Sequence, residues 1–263
     1  MKNNMNNETL WWQKIRIEEL ETALEVFSNE KNLDILEIGG RDGFQANIIS
    51  KKGHKVTSID INPLLPQIHL VQKGDINKLD FENNSFDLIY SSNMLQEIDN
   101  IDEAFMEMKR VLKKDGIIIH IVPSSWWSLI TNFWHYCLIP KYLIKSNKIQ
   151  QIFNSKKVTN IDIQNNNQKN KNSKATTNLK KLFFHPLGTN TSFVHEIIYF
   201  SQFYWKKSFN DNRFTIIEEK NCPYLYSGYS IFRFKFLSFR KFLAKLGITS
   251  CFCFIMKKND ICD

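Results

Sequence analysis

The chain has 263 residues, 43% of them hydrophobic, enough for one sizeable core. Its 35 Lys and Arg against 27 Asp and Glu leave a net charge of +8, but the excess is spread along a lysine- and asparagine-rich sequence with no aromatic-plus-arginine motif of an RNA reader, so nucleic acid is an unlikely partner. The five scattered cysteines (Cys137, Cys222, Cys251, Cys253 and Cys262) suggest no disulfide framework, and Cys251 and Cys253 on one face of a strand lack the His or Cys pairs that a metal site needs.

The polar start, Met1 to Asn7, does not read as a secretory signal, which points to a reducing cytoplasm. It leads into a helix from about Thr9 that carries Trp11 and Trp12. Leu33 to Gly43 reads Leu-Asp-Ile-Leu-Glu-Ile-Gly-Gly-Arg-Asp-Gly, a strand that runs into a glycine-rich turn. Ile35, Leu36 and Ile38 suit a strand covered on both faces, and Gly39, Gly40 and Gly43 let the backbone turn sharply against a ligand. A helix is expected from Phe44 to about Lys52, its N-terminus aimed at the same place. Lys55 to Asp60 is a second strand with a carboxylate at its C-terminal end, where a doubly wound sheet would hold a ribose diol. Asp60 follows the glycine turn at about 20 residues, the interval of a strand-helix-strand unit. A third apolar run, Ile68 to Val71, precedes Gly74-Asp75-Ile76, and Ser85 to Ser91 makes a fourth strand.

These residues together resemble the class I S-adenosylmethionine-dependent methyltransferases, in particular the type 11 methyltransferase-domain group. The resemblance runs through Leu36-Glu-Ile-Gly-Gly-Arg-Asp-Gly43, Ile59-Asp60, Gly74-Asp75, Ser85 to Glu97, and Glu107-Met-Lys-Arg-Val-Leu-Lys-Lys-Asp-Gly116 with the following strand, Ile117 to Val122. It implies a seven-stranded, mostly parallel, doubly wound α/β sheet of Rossmann-like form with a helical cap insertion. It also implies S-adenosyl-L-methionine as cofactor, held by Glu37, Gly39, Gly40, Gly43, Asp60, Asp75, Ile76, Ser91 and Asn93. The segment matching Ser85 to Glu97 would lie beside the methionine part. Two departures stand out: Arg41 replaces a family glycine, and Lys113-Lys-Asp-Gly116 replaces the usual Lys-Pro-Gly-Gly. A nicotinamide dehydrogenase shares the strand-turn-helix logic but needs Gly-x-Gly-x-x-Gly for a pyrophosphate, and Arg41 and Phe44 occupy the two later glycine positions.

Beyond the fifth strand, Ser125 to Ile139 packs Trp126, Trp127 and Trp134 into about one helix that should stop at Pro140. The segment is too short to span a bilayer; it reads as a helix over the active site or an interfacial one. About Asn154 to Asn178 is a low-complexity, lysine- and asparagine-rich insertion expected to be mobile and removable. Order should return at Leu182-Phe-Phe-His-Pro-Leu-Gly188, with one helix or two short elements over Phe193 to Trp205. A sixth strand is expected over Arg213 to Glu218 and a seventh over Ile248 to Met256. Between them, Phe234 to Leu246 alternates aromatic and basic residues at helical intervals, with Gly247 as C-cap.

His185-Pro-Leu-Gly188, His195-Glu196 and Phe200 to Trp205 resemble, more loosely, a substrate-side cap in a branch of the same group. An oxygen acceptor would need a general base, and His120, His135, His185, His195 and Glu196 are the candidates, with His185 and Glu196 preferred because caps over the sheet edge carry substrate chemistry. The expected organisation is an N-terminal helical segment (1–32), a cofactor-binding core (33–123), a cap (124–212) and C-terminal strands with an amphipathic helix (213–263). The expected reaction is methyl transfer to a small-molecule, glycan or lipid-linked acceptor, with peripheral contact to the inner membrane face if the aromatic and basic segments share one side. RNA or protein methylation, or a catalytically silent cofactor-binding or membrane-associated protein, are the alternatives.

Overall fold

The computed structural model describes residues 6–27, 30–145 and 192–259. The low-complexity insertion and His185-Pro-Leu-Gly188 lie outside the described residues. The described elements are α1 (Asn7–Leu24), β1 (Asp34–Ile38), α2 (Phe44–Lys51), β2 (Lys55–Asp60), β3 (Val71–Lys73), β4 (Phe86–Ser92), α3 (Ile101–Val111), β5 (Leu112–Pro123), α4 (Ser125–Lys145), α5 (Phe193–Tyr199), α6 (Gln202–Asp211), β6 (Phe214–Asn221), α7 (Leu237–Lys245) and β7 (Cys251–Lys258).

All seven strands join one sheet in the order β3-β2-β1-β4-β5-β7-β6. β1, β2, β3, β4 and β5 pair in parallel, and β7 runs antiparallel to both β5 and β6. This is the doubly wound sheet that the resemblance implies. Its direction of winding reverses between β1 and β4, which leaves a crevice beyond their C-terminal ends.

Each face of the sheet carries its own core, and alternation along β7 shows why. Cys251, Cys253 and Ile255 pack with Trp11, Ile15, Leu20, Tyr224 and Tyr226 on the α1 side. Phe252, Phe254 and Met256 pack with Phe105 of α3, Phe200 at the end of α5, and Trp205 and Phe209 of α6 on the other. The thiols of Cys251 and Cys253 are thus core groups. Among the described residues no cluster of His, Cys, Asp and Glu could hold a metal ion.

Several boundaries differ from the sequence expectation, each for a local reason. The third strand is Val71–Lys73 and not Ile68 to Val71, because the Gln67 side chain brackets the backbone of Val71, donating to its carbonyl at 2.9 Å and accepting from its N–H at 3.1 Å. β5 begins at Leu112, so Lys113 to Gly116 lies inside the strand: Phe86 pairs Leu112 and Leu88 pairs Ile117, a bulge that absorbs the extra residues. α4 runs through Pro140, which removes one intrahelical donor without ending the helix. The segment from Phe193 divides into α5 and α6, because Ser192 and Ser201 each cap a new N-terminus through their hydroxyls. β7 begins only at Cys251, since the hydroxyls of Thr249 and Ser250 donate to the carbonyls of Cys222 and Tyr226, both at 2.6 Å.

Candidate active site

The crevice is built from the turn after β1. Gly39 and Gly40 donate their N–H groups to the Ile59 carbonyl at 2.9 and 3.0 Å, which ties the turn to the end of β2. A side chain at Gly40 would lie 1.9 Å from Ser58 Oγ and 2.7 Å from Glu37 Oε2, so the close approach of β1 and β2 admits only glycine. Gly43, at φ +75°, caps α2 in the left-handed conformation. Arg41 also takes that conformation, at φ +51°, and leaves its side chain in solvent. A non-glycine residue there stores strain of about 1–2 kcal/mol.

That strain has a use, because the Arg41 N–H reaches Asp60 Oδ2 at 3.0 Å while the Asn62 N–H reaches Oδ1 at 2.8 Å. Both oxygens are oriented by the backbone, and each keeps a lone pair for a ligand donor. Gly74 donates to the Asp60 carbonyl at 3.0 Å, which hangs the next turn beside it. In that turn Asp75 is exposed and accepts from the Asn77 N–H at 2.9 Å, while Ile76 packs into the core.

Glu37 sits at the centre of the sheet opposite Ser58, which donates its hydroxyl to Glu37 Oε2. The carboxyl is 3% exposed. Burial pushes it up to about 7, against the pull of hydrogen bonds from Ser58 and the Ala46 backbone and with some help from Asp42 and Asp60.

At the tip of β4 the two expected residues differ in orientation. Asn93, at φ +52°, donates its N–H to the Ile121 carbonyl at 2.7 Å and accepts from Cys251 Sγ at 3.3 Å, so it ties β4 to β5 and β7 at the crevice. Ser91 is fully buried and its hydroxyl meets His120 Nδ1 at 2.7 Å inside the core. Any contact from Ser91 to a ligand would be through its backbone. His120 is excluded as a general base: it stacks on Phe209 with centroids 5.9 Å apart, and burial lowers it to about 3. Glu196 is fully buried in α5, and the neighbouring Ile197 carbonyl accepts from Ser125 Oγ at the start of α4, beside the C-terminal end of β5. His195 is exposed, and His135 meets the Tyr229 hydroxyl at 2.5 Å.

Sequence reasoning misses a polar array that α1 brings to the same end of the sheet. Arg16 Nη1 lies 2.6 Å from Glu19 Oε2 and 3.3 Å from Ser92 Oγ. Glu19 is buried and also accepts from the Tyr226 hydroxyl at 2.6 Å. Gln45 donates to the Tyr90 hydroxyl at 2.8 Å and to the Arg16 carbonyl at 3.3 Å. Only the spacing of Arg16 and Glu19 on one helix face is visible in the sequence, and it reads as an ordinary surface pair.

Residues 36–120 match a family model described as a methyltransferase domain. A demethylmenaquinone methyltransferase of Leptospira interrogans is 32% identical over 72 residues, which are 26% of this chain and 29% of that protein. The same match is found in a second strain of that species. The chain thus spans less than a third of the length of these curated relatives. Among solved structures, a protein of Listeria monocytogenes assigned to the S-adenosylmethionine-dependent methyltransferases superposes with a TM-score of 0.52 at 13% identity, covering 94% of this chain and 98% of that one. The 1,6-didemethyltoxoflavin-N1-methyltransferase of Burkholderia thailandensis, with 1,6-didemethyltoxoflavin and S-adenosylhomocysteine bound, gives 0.51 at 10% identity, covering 94% and 78%. At these identities the two likenesses speak to the fold. Residues 36–120 thus match a methyltransferase domain, and the described chain shares the fold of these solved S-adenosylmethionine-dependent methyltransferases.

Proposed function

We propose that the protein transfers a methyl group from S-adenosyl-L-methionine to a small organic acceptor. The observation that carries this reading is the Asp60 carboxylate, clamped by two backbone N–H groups at the C-terminal end of β2, one strand from the switch point of the sheet, with a lone pair left on each oxygen. That arrangement suits the two hydroxyls of a ribose. Gly39, Gly40 and Gly43 would let the backbone pass close to the ligand, Asp75 and Ile76 would border the base, and Asn93 would border the methionine end. Glu37 would act behind the turn, directly or through water, where a neighbouring positive centre favours its ionised form.

When bound, the cofactor supplies a methyl group already activated by its sulfonium charge. The chain's own contribution is then to hold the acceptor in line and exclude water. The described part of the cap, beside the C-terminal end of β5, would do this, and Glu196, or His185 outside the described residues, would be the group that takes a proton from an oxygen acceptor. The small-molecule acceptors in the names of the Leptospira and Burkholderia proteins support an acceptor of that size.

Calorimetric titration with S-adenosylmethionine tests the proposal. Asp60→Ala should weaken binding by about 1.5–3 kcal/mol, the range for hydrogen bonds to a charged group. Unchanged affinity in a folded Asp60→Ala variant would remove the ribose assignment. No binding by the unsubstituted chain would favour the catalytically silent, membrane-associated alternative.

A further inference from the structure

The helix α7 is built inside out. Its buried face carries Arg240, only 6% exposed, and Ala244. The Arg240 guanidinium donates to the carbonyls of Leu225 and Arg233, both at 2.6 Å, and lies 4.5 Å from the Trp11 ring. On the other face Phe236, Phe239, Phe242 and Leu246, at helical spacing, are 65, 60, 56 and 62% exposed. A helix that spends an arginine inside and leaves three phenylalanines outside is arranged for an apolar exterior. Arg240 is accordingly a structural residue and cannot be one of the cations that meet a headgroup. Lys235 and Lys245 are exposed at the edges of this stripe and can.

The aromatic helix α4 lies on the same side. Trp134 packs edge-on against Phe232 at 5.4 Å, and Phe232 in turn packs against Phe236 at 5.8 Å. Phe133, packed on Trp134, is exposed. Between α1, α4 and α7 is a cavity of about 410 Å³, walled by Trp11, Ile130, Trp134, Phe232, Phe239 and Leu243. That size falls in the range of small-molecule sites. Tyr226 also lines it, and the Tyr226 hydroxyl lies 3.1 Å from Cys251 Sγ, which donates to Asn93 at the crevice. Three side chains therefore connect the wall of the apolar cavity to the tip of β4.

We propose that this cavity houses the hydrocarbon tail of an amphipathic acceptor, taken up from an anionic bilayer on which the α4 and α7 face rests. The charge agrees, since the exposed lysines beside the phenylalanine stripe complement anionic headgroups. Among the described residues no helix is long and apolar enough to cross a membrane. The inference deepens the proposed function by naming the acceptor's class, and it rests on that reading only for the word acceptor.

The tail site is tested without cofactor, by calorimetric titration with decanoate, dodecanoate and tetradecanoate below their micellar concentrations. Affinity should rise roughly fourfold per added methylene until the cavity is full, then level off. Leu243→Trp, which fills the cavity, should abolish the rise. For the docking face, vesicles of phosphatidylglycerol with brominated acyl chains should quench tryptophan emission where unbrominated ones do not, and Trp134→Phe should remove part of that quenching. Lys235→Glu with Lys245→Glu should lower vesicle binding roughly tenfold or more, and Phe242→Asp, a change at an exposed position outside the cavity wall, should do the same without unfolding the chain. Affinity that is absent or independent of chain length overturns the tail site, and leaves the cavity to residues 146–191 or to a protein partner. Vesicle binding with no quenching by brominated chains overturns insertion. Because S-adenosylmethionine titration is separate, a failure of cofactor binding leaves these results standing, and the reverse.

Discussion

Glu37→Gln should make the protein more stable and a poorer cofactor binder at the same time. The carboxyl lies at the centre of the sheet, and burial raises it from 4.5 to about 7. Between those two values the folded chain holds a proton that the unfolded chain has released, so stability falls as pH rises through that window. The full loss is about 3 kcal/mol, at about 1.4 kcal/mol for each pH unit of displacement. Glutamine has the same shape and cannot ionise. It keeps a carbonyl oxygen for the Ser58 hydroxyl but introduces an amide donor that needs a partner, so the net gain above pH 8 should be about 1–3 kcal/mol. For a domain of this size that is about 2–4 °C in Tm for each kcal/mol. Below pH 4.5 both forms are neutral, and the variant should melt at or somewhat below the wild type, by the cost of that amide donor. In cofactor titrations the wild-type affinity should rise with pH across 6 to 8, by up to roughly tenfold, and the variant should show neither the rise nor the full affinity. Melting curves at several pH values decide the first half. A variant that melts at or below the wild type at pH 8 would refute the claim that burial, uncompensated in the free protein, dominates at Glu37.

Three further outcomes are expected. Gly40→Ala should abolish cofactor binding and lower Tm because of the contact with Ser58 Oγ, and adding Ser58→Gly should restore part of both; no rescue would mean that the backbone, and not this contact, sets the requirement. His120, lowered to about 3, is neutral in the folded protein, so its contribution is complete above its unfolded value of 6.5 and is lost as pH falls below that. His120→Phe combined with Ser91→Ala should therefore flatten the acid side of the stability curve without changing methyl transfer, as measured by Tm between pH 4 and 7. Arg240→Ala should cost about 3 kcal/mol or more in denaturant titration, since it removes charge-assisted bonds to three carbonyls and the packing on Trp11; a loss under about 0.5 kcal/mol would show that the guanidinium is merely accommodated.

Much of the cofactor side is legible in the sequence because its signals are local. β2 spans the residues expected of it, and β1, α2 and β4 lie within a residue of expectation, since an apolar strand run and a glycine turn depend on neighbours in the chain. The turn containing Arg41 is readable as a ligand turn, but the use of its N–H to hold Asp60 is not, because the left-handed backbone appears only when β1 and β2 are side by side.

What the sequence by itself determined is the doubly wound class and the chain positions of Glu37, Gly40 and Asp60. Tertiary structure decided what depends on contacts between distant segments. Ser91 and His120 are 29 positions apart and meet in the core, which takes both side chains away from the crevice. Arg16 reaches Ser92 across 76 positions, and Arg240 folds inward onto Trp11 while the phenylalanines of its helix turn outward. Helical periodicity identifies the two faces of α7 but not which one is buried, because a guanidinium that finds backbone carbonyls and an aromatic ring can offset its desolvation. Those partners exist only in the folded chain.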